Sequence, residues 1–75
     1  MESNLYDYCK NFASNLKNER KTQNYTQKQM AEKIGIKVQS YQAYESVLTQ
    51  PTVLNLLKIS QILHVSLDDL FEIKN

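Results

Sequence analysis

The sequence is short of the residues from which catalytic and metal sites are usually built. It has one cysteine, Cys9, and one histidine, His64. One of each, on different predicted helices, makes neither a zinc site nor a cysteine–histidine nucleophile pair. We therefore expect neither a metal nor a cofactor. A lone cysteine forms no internal disulfide, which suits a reducing compartment, so we expect a cytoplasmic protein. Nothing in the sequence supports an enzyme.

Long apolar runs and a strong excess of one charge are also absent. No run approaches the roughly 20 apolar residues of a membrane-spanning helix, and residues 1–4 do not resemble the start of a signal peptide. The formal net charge of +1 is a weak electrostatic footprint for a protein that binds nucleic acid. Residues 1–45 nevertheless carry seven Lys/Arg against five Asp/Glu, whereas residues 46–75 carry two against three. The first part of the chain is therefore the more basic one.

Length and apolar spacing predict one small helical domain. Seventy-five residues make a single domain over 1–75, with one core and no room for a deep catalytic cleft. Apolar residues at spacings of four, three and four predict a first helix from about Leu5 to Lys21, of which 1–11 is an N-terminal extension. No segment alternates apolar and polar residues with period two, so we expect an all-α fold of five helices.

Residues that favour helix ends mark the predicted boundaries. Thr26, Thr52 and Ser66 are expected to cap the second, fourth and fifth helices, and Thr26 begins a Thr-x-x-Gln capping box. Asn24 and His64 tolerate positive φ and are expected to end the first and fourth helices. The third helix is predicted over 38–45, and the fifth over 67–73. The predicted inward face of the fourth helix comprises Val53, Leu56, Leu57, Ser60 and Leu63.

The only glycine, Gly35, lies in the middle of a helix-turn-helix pattern over residues 26–45. Two short helices that cross at a steep angle need a turn residue at positive φ, which glycine adopts without a Cβ clash. They also need a small residue where their backbones approach, and Ala31 stands there. The residues expected to lock the two helices together are apolar: Met30, Ile34, Ile36, Tyr41 and Tyr44. In DNA-binding proteins the second helix of this motif enters the major groove.

From Phe12 to Phe71 the chain resembles the phage repressor and Cro family of helix-turn-helix proteins, the XRE-like transcriptional regulators. The matching segments are spread in order over about four-fifths of the chain: 16–20, 26–36, 44–45, 51–52 and 63–71. The resemblance implies a compact repressor-like domain of five helices, in which the second and third helices form the helix-turn-helix.

The resemblance also implies roles for individual residues. Residues at the start of the second helix are expected to contact DNA phosphates, and these are Thr26, Gln27 and Lys28. Residues that open the third helix are expected to face base edges, and they include Val38, Gln39, Gln42 and Ala43. An arginine late in the first helix is expected to pair with the glutamate that ends the third, here Arg20 with Glu45.

The side-chain chemistry suits these roles. A glutamine amide bonds N7 and N6 of adenine together, and a good bidentate contact discriminates between bases by about 1–3 kcal/mol. Val38 and Ala43 offer apolar contacts for a thymine methyl group. Lys28 and Lys37 stand next to helix N-termini, which favour anions, so we expect both to contact phosphates. The alternative for each residue is an exposed side chain that contacts only water.

Two departures from the family pattern affect the predicted interface. Lys37 stands where a serine or threonine cap is common. Residues 46–50 replace a loop that often holds glycine and basic residues in relatives, so phosphate contacts from this loop are not expected. Val47 and Leu48 are instead expected to be buried or in an interface.

These patterns predict a sequence-specific regulator that binds double-stranded DNA, most simply a transcriptional repressor. One helix-turn-helix reads few base pairs, so we expect a homodimer on a palindromic operator. Leu70 and Phe71 are the candidates for the dimer interface, and the extended first helix is the competing surface. The alternative function is a protein-binding helix-turn-helix module, such as an antitoxin, whose main partner is another protein. Neither function involves a membrane.

Overall fold

The computed structural model describes residues 5–73, and these residues form five α-helices and no strand. The helices are α1 Leu5–Thr22, α2 Gln27–Ile34, α3 Val38–Glu45, α4 Val53–Leu63 and α5 Leu67–Phe71. The predicted all-α fold is therefore confirmed. The first four residues of the predicted N-terminal extension, and residues 74–75, lie outside the described residues. No helix within residues 5–73 is both long and apolar enough to cross a membrane.

The helix ends are held by the predicted side chains. The Thr26 hydroxyl accepts a hydrogen bond from the Gln29 N–H (3.0 Å), and the Gln29 Oε1 accepts one from the Thr26 N–H (2.8 Å), which completes the capping box. Thr52 and Ser66 cap α4 and α5 in the same way. The helix α5 ends two residues earlier than predicted because Glu72 adopts a left-handed conformation with φ of 55°.

Gly35 ends α2 with φ of 88°, and its N–H donates to the carbonyl of Ala31 at 2.8 Å. A Cβ placed on Gly35 would meet no atom within 4 Å. The requirement for glycine therefore comes from the backbone conformation and not from close packing. The turn sends the chain into α3 across α2, with Ala31 buried in the core.

One core joins the helices, and its members are almost free of solvent exposure. They are Phe12, Ala13, Leu16, Met30, Ala31, Ile34, Tyr41, Tyr44, Ile59, Leu63 and Leu70. Tyr41 is fully buried and Tyr44 meets it edge to face, with ring centroids 6.2 Å apart. Since both tyrosines belong to α3, the core fixes the inward side of that helix.

The predicted inward face of α4 was wrong in part. Val53 is 74 % exposed and Leu57 is 48 % exposed, whereas Ile59 and Leu63 are buried and Leu56 packs against the core. Leu57 lies about 100° further round the helix than Leu56, so it points away from the core once Leu56 faces it. Val53 belongs to the first turn of α4 and contributes to an exposed apolar surface.

The helix α5 folds back against α1, and this corrects one of the predicted dimer contacts. Leu70 is completely buried in the core of its own chain, so it has no surface with which to contact a second copy. Phe71 is half-buried and stacks on Phe12, with ring centroids 4.9 Å apart. The Asn15 Nδ2 donates to the carbonyl of Leu70 at 2.9 Å, which holds the end of α5 on α1.

Candidate nucleic-acid interface

The outward side of α3 carries short polar and small side chains. Tyr41, Tyr44 and Glu45 define the inward side, because the first two are buried and the Glu45 side chain is only 5 % exposed. At 100° per residue, the opposite side is centred near Gln39. Gln39 and Gln42 are both exposed. The helix therefore presents two glutamine amides to solvent while its aromatic residues anchor it.

The two apolar residues predicted to contact bases are less accessible. Val38 is half-buried and packs against the core. Ala43 is half-buried as well, and its carbonyl accepts hydrogen bonds from the N–H groups of Leu48 (3.0 Å) and Thr49 (3.3 Å). Ser40, which sequence reasoning did not include, is exposed beside Gln39. Its hydroxyl can donate or accept, so it suits a polar surface of this kind.

Of the four residues predicted to contact phosphates, three are exposed and one, Gln27, is half-buried. Lys28 and Lys37 are exposed. Thr26 is exposed too, and its hydroxyl accepts from Gln29, which leaves the O–H proton available as a donor. Lys37 is the N-cap of α3 but forms no side-chain capping hydrogen bond, so its ammonium group does not take part in capping.

A buried ion pair connects α1 to the end of α3. The Arg20 Nε donates to Glu45 Oε2 at 2.6 Å, and the Arg20 Nη2 donates to Glu45 Oε1 at 3.1 Å. The third nitrogen, Nη1, donates to the carbonyl of Tyr25 at 2.9 Å. The arginine side chain is 10 % exposed. A bidentate pair of this kind fixes both distance and angle between two helices.

The Glu45 carboxylate accepts four hydrogen bonds and is therefore saturated. Besides the two from Arg20, it receives one from the Tyr41 hydroxyl at 2.5 Å and one from the Gln27 Nε2 at 3.1 Å. Burial opposes ionisation of Glu45, but the hydrogen bonds from Arg20, Tyr41 and Gln27 outweigh it and hold the pKa of this carboxyl below its ordinary value. Burial, with the hydrogen bond to Glu45, raises the pKa of the Tyr41 hydroxyl, which stays a donor.

The amide of Gln27 extends this network to the surface. Its Nε2 donates to Glu45, and its Oε1 accepts a hydrogen bond from the Nε2 of Gln42 at 3.1 Å. The half-buried Gln27, predicted only as a phosphate contact, thus lies between the buried ion pair and an exposed glutamine of α3. Sequence reasoning missed this link because the contact joins residues 15 and 18 positions apart in the chain.

The ion pair also changes the charge that the helix-turn-helix shows to solvent. Residues 26–45 contain three lysines and two glutamates. Since Arg20 neutralises the buried Glu45, the only uncompensated acid in this segment is Glu32. The exposed charge of the motif is thus positive, although the net charge of the whole chain is only +1. No group of three or more acidic, histidine or cysteine side chains within residues 5–73 is arranged to hold a metal ion.

The fold and the exposed side of α3 define a DNA-binding helix-turn-helix domain. A helix-turn-helix family profile matches residues 16–70, which covers all of α2, α3 and α4. The chain belongs to this family of helix-turn-helix transcriptional regulators, of the XRE type, as its resemblance to phage repressors predicted.

Two relatives share substantial identity with the chain. The cryptic phage CTXphi transcriptional repressor RstR of Vibrio cholerae serotype O1 is 51 % identical over 55 residues, which are 73 % of this chain and 49 % of that protein. The uncharacterised HTH-type transcriptional regulator YqaE of Bacillus subtilis strain 168 is 46 % identical over 61 residues, or 81 % of this chain and 53 % of that protein. The chain thus spans about half the length of these relatives. No solved structure gave a match.

Proposed function

We propose that this chain is the DNA-reading unit of a transcriptional repressor, and that α3 recognises a specific base sequence in the major groove of double-stranded DNA. The observation that carries the proposal is the outward side of α3, where Gln39 and Gln42 are exposed on a helix anchored by Tyr41, Tyr44 and the Arg20–Glu45 pair. Side-chain amides can read base edges bidentately, and a rigid support lowers the free energy needed to order them.

Phosphate contacts are proposed for the residues that flank this helix. Lys28 and Lys37 are exposed, and the Thr26 hydroxyl has a free proton to donate. Each neutralised phosphate contributes a slope of about 0.9 to the dependence of log K on log salt concentration. Two lysines in each subunit of a dimer therefore predict a slope of about −3 to −4. This is shallow for a repressor, and it agrees with the small net charge.

We further propose that the protein acts as a homodimer on a palindromic operator, because one recognition helix contacts too few base pairs for tight specificity. The interface is assigned to the exposed apolar face of α4, formed by Val53, Leu54 and Leu57, with a second copy of the chain as its occupant. These residues lie at positions i, i+1 and i+4 of the helix, and none of them is charged. A two-fold contact uses the same patch on both subunits.

The size of this face supports a weak dimer. A standard interface takes about 20–30 residues from each side, far more than one short helix face supplies. We therefore expect subunits that are largely monomeric at low concentration and that pair on DNA. Such pairing would place two α3 helices one DNA turn apart, about 34 Å.

Selection of bound duplexes from a random pool tests the proposed function most directly. The expected result is an enriched palindrome whose binding weakens with salt at the slope given above. An antitoxin-like module whose main partner is a protein is the competing function, favoured by the exposed apolar side chain of Leu48 in the loop after α3. Failure to enrich any sequence, together with duplex binding no stronger than that of an unrelated protein of equal charge, would favour the competing function.

A further inference from the structure

The hydrogen bonds between Glu45, Gln27 and Gln42 have a direction that chemistry imposes. An ionised carboxylate only accepts hydrogen bonds, whereas an amide side chain has a donor end and an acceptor end. Gln27 approaches Glu45 with its Nε2 at 3.1 Å. Were this amide reversed, its Oε1 would face the carboxylate oxygen, and two acceptors would oppose each other. The NH₂ group of Gln27 must therefore point at Glu45.

The same constraint passes on to Gln42. Because the NH₂ group of Gln27 points at Glu45, its Oε1 is turned toward α3, where it accepts from the Gln42 Nε2 at 3.1 Å. The Gln42 amide must then direct its NH₂ group at Gln27, since its own Oε1 would again oppose an acceptor. The negative charge at Glu45 is itself held by Arg20 and Tyr41. The buried charge of Glu45 thus fixes the orientation of the exposed Gln42 amide through two successive hydrogen bonds, with Gln27 between them.

This orientation decides what Gln42 offers to a ligand. One N–H of its NH₂ group is bonded to Gln27, which leaves the Oε1 acceptor and a single N–H. In the major groove adenine presents the N6 amino donor beside the N7 acceptor, whereas guanine presents two acceptors, O6 and N7. A free glutamine can turn both N–H groups toward guanine, but Gln42 as held here matches only the donor–acceptor pattern of adenine.

We propose that Gln27 is a positioning residue which fixes the Gln42 amide so that α3 selects adenine against guanine at one operator position. The inference rests on the proposed function, in that α3 must lie in the major groove. It assigns to Gln27 a role beyond contact with phosphate, and it names the base that Gln42 reads.

The operator position to test is the one at which Gln42→Ala abolishes the base preference of the protein. Affinities are then compared for four duplexes that differ only in the base pair at that position. For the wild-type protein we expect adenine to be preferred over guanine by at least about fivefold, the lower limit for a good bidentate contact. In Gln27→Met, which keeps the length of the side chain but removes both hydrogen bonds, the preference should fall below about twofold. Gln61→Met, an exposed glutamine of α4, is the matched control and should keep the wild-type preference.

The outcomes separate this inference from the proposed function. Equal weakening of all four duplexes in Gln27→Met, with the preference for adenine intact, would show that Gln27 contacts only phosphate and would overturn the inference alone. A wild-type protein without base preference at any position would overturn the proposed function as well. Gln27→Ala repeats the measurement should the methionine variant fail to fold.

A measurement without DNA tests the geometry itself. The side-chain amide resonances of Gln42 in the free protein should shift in Gln27→Met and stay in place in Gln61→Met. Resonances unchanged in both variants would show that Gln27 does not hold the Gln42 amide, and would overturn the inference.

Discussion

The Arg20 Nε lies 2.6 Å from the Glu45 Oε2, and this contact ties the end of α3 to α1. The pair is bidentate and buried, so it sets the orientation of α3 more narrowly than apolar packing does. The same carboxylate holds Gln27, and through it Gln42. Stability of the domain and the arrangement of its outward glutamines therefore depend on the same two charges.

Arg20→Met should destabilise the domain by about 3–5 kcal/mol, because it leaves the Glu45 carboxylate buried without its cation. This is a large part of the roughly 5–10 kcal/mol expected for so small a domain. Chemical denaturation followed by circular dichroism gives the change. Lys17→Met, at an exposed position of the same helix, should change stability by less than about 0.5 kcal/mol. Equal denaturation midpoints for the two variants would show that loss of Arg20 does not leave a buried, unpaired charge at Glu45.

The ion pair should also make the free energy of unfolding depend on pH. The pKa of Glu45 is lower in the folded chain than its ordinary value of 4.5, so the folded state binds fewer protons than the unfolded state in that range. The stabilisation is thus complete above about pH 5 and is lost as the pH falls through the folded pKa. The difference in unfolding free energy between wild type and Glu45→Gln should shrink as the pH is lowered from 6 to about 3. A difference that stays constant over this range would contradict the assignment.

Val47→Gly should stabilise the protein. Val47 has φ of 66°, a left-handed conformation that a β-branched residue adopts only with strain. Relief of that strain is worth about 1–2 kcal/mol, and part of it is offset because glycine is freer in the unfolded chain. We expect a net gain of up to about 1 kcal/mol, read from the thermal midpoint. Val47→Ala is the matched control: it removes the same methyl groups but keeps the Cβ, so it relieves only the part of the strain that β-branching adds and should gain less than Val47→Gly.

Substitutions at two exposed residues, Gln39 and Lys28, should affect DNA binding in different ways, because the first is proposed to contact bases and the second phosphates. Gln39→Ala is expected to relax base preference at one operator position, at about 1–3 kcal/mol, while the fold stays intact. Lys28→Ala should weaken binding to all sequences alike and reduce the salt slope by about one unit for each bound subunit. Titrations of operator and scrambled duplexes at several salt concentrations distinguish the two effects. Unchanged base preference in Gln39→Ala would remove this residue from the proposed set of readers.

The elements that could be predicted from the sequence are those set by local chemistry. Gly35 and the Thr26 cap are visible because a backbone angle or a neighbouring N–H demands a particular residue type. The bounds of α3 follow from such signals together with the family pattern. The proposed roles in DNA contact rest on the family pattern and on the exposure of Gln39 and Gln42.

Packing between distant elements could not be predicted in the same way. The apolar face of α4 was misassigned because its residues are apolar on both sides, and periodicity alone does not say which side meets the core. The link from Gln27 to Glu45 depends on the crossing angle of α2 and α3, which is a property of the whole core. Leu70 was wrongly predicted as a dimer contact, because the sequence of a helix as short as α5 does not indicate which element it packs against.

The last prediction concerns the exposed face of α4. Leu54 is 61 % exposed, so Leu54→Glu should leave the core intact while placing two like charges close together in a two-fold contact. We expect this variant to sediment as a folded monomer at concentrations where the wild type begins to dimerise. It should also lose cooperative binding to a palindromic duplex while it keeps binding to a single half-site.

Leu5→Glu is the matched control, because Leu5 is 76 % exposed on α1, the competing surface. The two variants add the same charge at apolar positions that are both more than half exposed, so a difference in assembly between them comes from the surface changed and not from the added charge. Leu5→Glu should sediment and bind as the wild type does. If it is Leu5→Glu that becomes monomeric, the interface lies on α1. If both variants still bind the palindrome cooperatively, neither helix face joins the subunits, and Phe71 at the edge of α5 becomes the position to change next.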